Sequence, residues 1–240
     1  MSALQRWFGV ELDEVSLKEK LISGAGGFVG ILVVILVSRD VLGLEGAAML
    51  IASMGASAVL VFAVPHGQLA QPWPVIGGHV VSALVGVTTA KLVDRVELAA
   101  ALAVGLAIVA MHLLKCIHPP GGATALSAVI GGPAVKALGF GFVLRPVLLG
   151  ALLLVAVGVA FNWSFEWRRY PVGVAPHRTR PGVPEPSHAE VLAALRSIDS
   201  FVDVSEDDLV RLVQLLAPPA SAPVVGTADG PSAGSPSPLD

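Results

Sequence analysis

The stretch HPPGGATAL, His118 to Leu126, sets an imidazole, two prolines, two glycines and a threonine beside a long apolar run. Pro119 and Pro120 suit the first turn of a helix, where a missing N–H would have no partner anyway. Gly121 and Gly122 then leave backbone N–H groups open to a ligand, and Thr124 adds a hydroxyl donor. A helix N-terminus carries roughly half a positive charge and takes anions readily. The chemistry that this pattern points to is the binding of a small anion.

Ionisable residues nearby have separate readings. His118 stands at the predicted turn, placed to satisfy freed backbone groups or to carry a proton, and such a group in a membrane segment is a functional candidate. Lys115 is placed to attract an anion towards the turn, or to mark the membrane boundary. His112 reads as an interface residue. His112, Cys116 and His118 are ligand types that suit zinc or copper. No ligand motif of fixed spacing accompanies them, so neither a metal nor any other cofactor is expected. The loop VPHGQLAQPWP, with His66, Gln68 and Gln71, reads as a structured turn.

A second stretch resembles the first. GASAV, Gly55 to Val59, matches GATAL, Gly122 to Leu126, and PVIGGHVVSALVG, Pro74 to Gly86, matches PVLLGALLLVAVG, Pro146 to Gly158. The order is the same in both halves. A unit of three crossings repeated once must be inverted in the membrane, and inverted repeats with broken helices mark transporters whose site lies near the midplane. Ser53, Gly55 and Ser57 would then mark a half-helix start opposite His118 to Thr124. Small residues also allow close helix packing in any membrane bundle, which is the plainer account of each one singly.

Composition determines what can position these residues. Of 240 residues, 54% are hydrophobic and 14% charged, against about 25% charged in a soluble domain. The chain is therefore an all-α polytopic membrane protein. A spanning helix needs about 20 apolar residues, which predicts segments over Leu21–Val37, Gly46–Val64, Val75–Ala90, Leu98–Leu114, Pro119–Phe142 and Pro146–Phe165. The fifth is interrupted by Gly131-Gly132-Pro133 and reads as two half-helices. The sixth ends in NWSFEWRRY, read as an aromatic and basic interface anchor.

With six crossings, Lys18, Lys20, Lys115, Arg168, Arg169, Arg178 and Arg180 fall on one side and Arg39, Lys91, Arg95, Lys136 and Arg145 on the other. That bias puts both termini in the cytoplasm of a cell whose inner, or plasma, membrane holds the protein. Residues 1–20 read as an amphipathic segment, not a cleaved signal peptide, because acidic residues precede the first apolar run. After the membrane region, 21–170, come a proline-rich linker (171–186), two short amphipathic helices (187–217, opened by a capping box at Ser187 and Glu190) and a tail (218–240) of disordered composition.

Some functions are excluded. A net charge of −3 without a basic block gives nucleic acid no footing. The single cysteine forbids an internal disulfide. No carboxylate falls within the six segments, Glu45 and Glu97 lying at their edges, so no serine–histidine–acid arrangement or zinc-protease motif is present. The chain is not expected to be an enzyme.

HPPGGATAL resembles the signature of the HPP family of integral membrane proteins, and MGASAVLVF and QPWPVIGGHVVSALVG resemble further blocks of that family. One departure is PHGQLAQP, where the family pattern has a Ser-Pro pair at His66-Gly67. The resemblance, read as that of a bacterial member, implies transport, since plastid and cyanobacterial members are described as nitrite transporters. The stretch AEVLAALRSIDSFVDVSEDDLVRLVQLLA resembles the connector that precedes a nucleotide-sensing CBS pair in some bacterial members, though no such pair follows. The expectation is a carrier for nitrite or another small anion, partnered by the lipid bilayer and by its substrate. Its site residues would be His118, Pro119, Pro120, Gly121, Gly122, Thr124, Ser53, Gly55 and Ser57, with Lys115 steering. A homo-oligomer is left open. The alternatives are a membrane sensor or scaffold acting through the cytoplasmic helices, and a metal-ion transporter.

Overall fold

A computed structural model describes residues 16–174 and 209–210, except for the side chains of 37, 38, 40–47 and 49. Most of the predicted linker, the capping box and the tail lie outside the described residues, as does most of the predicted helical pair. All regular elements described are helical. They are α1 (Leu17–Ala63), a 3₁₀ turn (Gln68–Ala70), α2 (Pro72–Leu92), α3 (Val96–Leu113), α4 (Pro120–Ile130), α5 (Gly132–Leu138), a π turn (Val143–Leu148), α6 (Leu149–Trp163) and 3₁₀ turns at Glu166–Arg168 and Val172–Val174.

The helix α1 is assigned without a break, yet it doubles back. At ~1.5 Å per residue a straight helix would hold Gly26 and Phe62 about 54 Å apart. Instead, a Cβ on Gly26 or Gly30 would strike the Phe62 ring. Ser23, Gly24, Gly27 and Ile31 face Gly55, Ala58, Val59 and Phe62 across one groove. Two antiparallel arms, Leu17–Leu36 and Leu50–Ala63, correspond to the first two predicted segments. Ser16 caps the first arm, its hydroxyl accepting from the Glu19 N–H at 3.2 Å. The helix thus begins inside the predicted amphipathic segment.

Four helices among the described residues are long and apolar enough to cross a membrane: Leu17–Leu36, Pro72–Leu92, Val96–Leu113 and Val143–Trp163. Leu50–Ala63 and Pro120–Ile130 are apolar but shorter. The expected interruption of the fifth segment is present at Gly131–Gly132, where Gly132 has φ +84° and Pro133 follows. The last span bends near Pro146, with Arg145 at φ −135° and ψ 113°, because proline cannot continue the ladder of the preceding turn.

Burial follows the two matching halves. Ser53, Met54, Ser57, Ala58, Val61 and Phe62 are buried on the second arm. Pro120, Gly121, Thr124, Ala125, Ala128 and Val129 are buried on α4, in the register that equates Gly55 with Gly122. On α2, Val75, Gly78, His79, Ser82, Ala83 and Gly86 are buried. Val147, Gly150, Ala151, Leu154, Val155 and Gly158 are buried in the register that equates Pro74 with Pro146. Gly86 is pressed against Ala125 and Ala128, and Gly158 against Val61. In those registers Ala128 is the counterpart of Val61, so the two close contacts correspond. Small residues at such crossings let membrane helices approach where lipid offers no hydrophobic drive.

Candidate functional site

Five buried polar side chains meet where the second arm, α2 and α4 cross. Ser53, Ser57, His79, His118 and Thr124 are each at most 1% exposed. The Ser53 and Thr124 hydroxyls are 2.6 Å apart. Thr124 Oγ1 lies 2.7 Å from His79 Nδ1. Ser57 Oγ lies 2.7 Å from both His79 Nε2 and His118 Nε2. His118 Nδ1 donates to the Leu69 carbonyl at 2.8 Å. The two imidazole rings stand edge to face with centroids 4.9 Å apart. Every side-chain polar atom of this cluster has a partner, as burial demands.

Each element contributes through its local sequence. Serines spaced one turn apart put Ser53 and Ser57 on one face of the second arm. Gly77 and Gly78 let α2 approach the turn before α4: a Cβ on Gly78 would lie 2.5 Å from the Cβ of His118 and 3.0 Å from the Cys116 carbonyl. That close approach brings His79 level with His118. Gly121 is equally confined, with Ser82 Oγ 2.7 Å and the Gly78 carbonyl 2.9 Å from where its Cβ would be.

Of the expected site residues, the structure brings together Ser53, Ser57, His118 and Thr124. Pro120 and Gly121 are buried beside them, whereas Pro119 is exposed. Two expectations are corrected. The Gly121 and Gly122 N–H groups are not bare: they donate to the His118 and Pro119 carbonyls at 2.8 and 3.0 Å, closing a tight turn as the helix begins. Nor do Ser53, Gly55 and Ser57 mark a helix start, since they lie inside Leu50–Ala63 and its ladder is unbroken there.

The remaining residues lie elsewhere. Gly55 faces the groove between the two arms. Gly122 faces Val104, with only that side chain near its Cβ position, at 3.9 Å. Lys115 is exposed at φ 54° and His112 is exposed. Cys116 is buried against Gly77. Among the described residues no group of three His, Cys, Asp or Glu is placed to hold a metal ion. The loop at Gln68 and Gln71 is a structured turn: the Gln71 amide donates to the Pro65 and Gly67 carbonyls at 2.9 and 3.0 Å, and its oxygen accepts from the Val172 N–H at 3.1 Å.

His79 is the site residue that the sequence reading missed. Its signal was present, as an ionisable side chain in the middle of an apolar helix.

A second polar cluster closes the ends of the first arm, the second arm and α6. Arg168, 1% exposed, donates to the Glu19 carboxylate and the Phe62 carbonyl. It also donates to the Ser23 hydroxyl at 3.0 Å and to Asn162 Oδ1 at 3.1 and 3.2 Å. Asn162 donates in turn to the Val61 carbonyl at 3.1 Å, and Trp167 Nε1 to Glu19 at 2.8 Å. The Tyr170 hydroxyl donates to the Ala70 carbonyl at 2.9 Å. Burial pushes the Arg168 guanidinium down from its ordinary value and the Tyr170 phenol well up. Arg168 is thus not the interface anchor that NWSFEWRRY suggested. Trp163 and Trp167 do remain exposed, as such an anchor requires.

Four long apolar helices around a buried polar core define a polytopic helical membrane protein. The chain belongs to the HPP family: the model of the HPP transmembrane region matches residues 12–171. Two transmembrane proteins of Dictyostelium discoideum are similar to it. One is 41% identical over 174 residues, covering 70% of this chain and 56% of the relative. The other is 39% identical over 177 residues, covering 70% and 61%. This chain thus spans somewhat over half the length of those relatives. No solved structure matches.

Proposed function

We propose that this protein is a carrier, not an enzyme, that moves a small anion across a cell's plasma membrane, with nitrite the first candidate. The observation that carries the reading is the convergence of Ser53, Ser57, His79, His118 and Thr124 in the interior of an otherwise apolar bundle. Hydroxyls and imidazole N–H groups are donors suited to the oxygens of a small anion. They replace the backbone N–H groups of Gly121 and Gly122 as the proposed ligands. Burying such groups is costly unless they are hydrogen-bonded, and ionisable side chains inside membrane segments mark functional sites.

The architecture in this reading is six crossings in a 3+3 inverted repeat, with both termini cytoplasmic. The matched burial of the second arm with α4, and of α2 with the last span, supports it. So does the correspondence between the Gly86–Ala128 and Gly158–Val61 contacts. Leu50–Ala63 and Pro120–Ile130 would be the two crossings of less than full length, the shape expected of helices that carry a midplane site. Ser57 and Thr124 are counterparts in the repeat and meet through His79. A site built on the repeat axis would then face either side as the halves rock.

Proteoliposomes holding the purified chain test the reading. Nitrite uptake should exceed that of protein-free vesicles several-fold and fall to their level in Thr124→Val. Uptake no faster than the empty vesicles, for nitrite, nitrate and formate alike, removes the carrier proposal.

A further inference from the structure

The hydrogen bonds of the central cluster admit one arrangement of protons when both imidazoles are neutral. The Leu69 carbonyl only accepts, so His118 Nδ1 carries its hydrogen. Nε2 of a neutral His118 is then an acceptor, and the Ser57 hydroxyl must donate to it. That uses the single hydrogen of Ser57, so His79 Nε2 must donate to Ser57 Oγ. His79 Nδ1 is left to accept from Thr124, and Thr124 to accept from Ser53. The chain runs in one direction, from Ser53 to Leu69.

A second arrangement exists with one more proton. Ser57 Oγ also lies 3.2 Å from the Ser53 carbonyl. If that hydroxyl turns from His118 to the carbonyl, its oxygen faces both imidazoles as an acceptor. His118 can then hold hydrogens on Nδ1 and Nε2 together, donating to Leu69 and to Ser57, while His79, Thr124 and Ser53 keep their bonds. No polar group loses its partner between the two states. A network without such a rotor would have a donor stranded by the added proton, and a buried unpaired donor is costly.

We propose that this cluster is a proton-binding site, with His118 taking the proton and Ser57 acting as the rotor that admits it. The ionisable groups on the surrounding elements are few. They are His79 on α2, Cys116 on the turn against Gly77, and Tyr170, which bonds the carbonyl next to Leu69. Among the described residues Arg168 is the one charged side chain that is buried, and its partners lie in the other cluster. An imidazolium in such surroundings has no counter-charge and is costly. An anion beside it would remove that cost, so anion and proton favour each other's binding by the same factor. Resting on the carrier reading above, this makes the transported unit an anion together with a proton.

The test is nitrogen NMR of ¹⁵N-histidine-labelled full-length protein in lipid nanodiscs, with assignments from His79→Gln and His118→Gln. At neutral pH without anion, His118 should carry its hydrogen on Nδ1 and His79 on Nε2. Added nitrite should raise the midpoint of His118 protonation by about one pH unit, tenfold in proton affinity. Ser57→Ala should lose that shift and Ser57→Thr should keep it. The opposite tautomers, or protonation of His79 in place of His118, overturn the proposal without needing any variant of Ser57. Proteoliposome flux separates the two readings. A proton-binding His118 without nitrite flux removes the carrier and leaves the proton site. Nitrite flux indifferent to a pH gradient, with His118 neutral throughout, removes the proton site and leaves the carrier.

Discussion

The two buried polar clusters solve different problems. The Arg168 cluster sits where helices end. The last carbonyls of the second arm, at Val61 and Phe62, have no partner within their own helix, and Asn162 and Arg168 supply one. In the Ser57 cluster Ser53, Ser57, His79 and Thr124 lie within helices, where the backbone ladder already satisfies its own groups, and His118 alone stands on a turn. Its side chains chiefly bond one another, and apolar residues of similar shape would have left open only the Leu69 carbonyl that His118 satisfies. Polar groups at a helix end follow from the chain's geometry; a neutral network between helix interiors calls for a function.

The largest effect should come from breaking the first cluster. Arg168→Ala leaves the Glu19 carboxylate with only Trp167 Nε1 as donor and the Phe62 carbonyl with none from Arg168, and losing one member of a buried pair costs up to about 3–5 kcal/mol. Thermal unfolding in detergent should show a large drop for this variant. The paired change Glu19→Leu with Arg168→Met should recover much of it, because no charge is then stranded. If Arg168→Ala melts like the wild type, the cluster is not structural and the contrast fails.

Gly121→Ala should come next. Its new Cβ would meet Ser82 Oγ and the Gly78 carbonyl at under 3.0 Å, and overpacking of this kind costs about 1–3 kcal/mol. Nitrite uptake should fall with stability, because α4 carries Thr124. Ser57→Ala should follow with about 1–3 kcal/mol, as His79 and His118 each lose a buried partner. Here the readouts should part: uptake and its dependence on a pH gradient vanish while the melting curve keeps its shape. A Ser57→Ala protein that transports like the wild type would place both clusters in the structural class.

The smallest effect belongs to Gly122→Ala. Its Cβ would meet only Val104 at an ordinary contact distance of 3.9 Å, which predicts a change within about 0.5 kcal/mol and near-normal uptake. If the Gly122 backbone were a ligand, the same variant would impair uptake. Measuring it beside Gly121→Ala therefore tests whether α4 is oriented as described.

Much of the frame was legible in the residues. The apolar runs located the helices to within a few residues, and Gly131-Gly132-Pro133 announced the break between α4 and α5. The likeness of GASAV to GATAL, and of the stretches around Gly86 and Gly158, is accompanied by burial in the same registers. What misled was the assumption that neighbouring residues in a motif act together. Gly121 and Gly122 are adjacent, yet one faces α2 and the other α3, because a helix turns about 100° per residue. Gly55 is separated from Ser53 and Ser57 in the same way.

Sequence alone determined that this is a membrane protein of the HPP family and where its apolar segments run, and it singled out Ser53, Ser57, His118 and Thr124. Those conclusions need only composition, period and motif, which are local quantities. Tertiary structure alone decided that His79 completes their cluster, that Arg168 is buried, and that the first helix doubles back. Each of these depends on which distant surfaces come within about 3 Å, the range of a hydrogen bond. A linear pattern does not encode that distance.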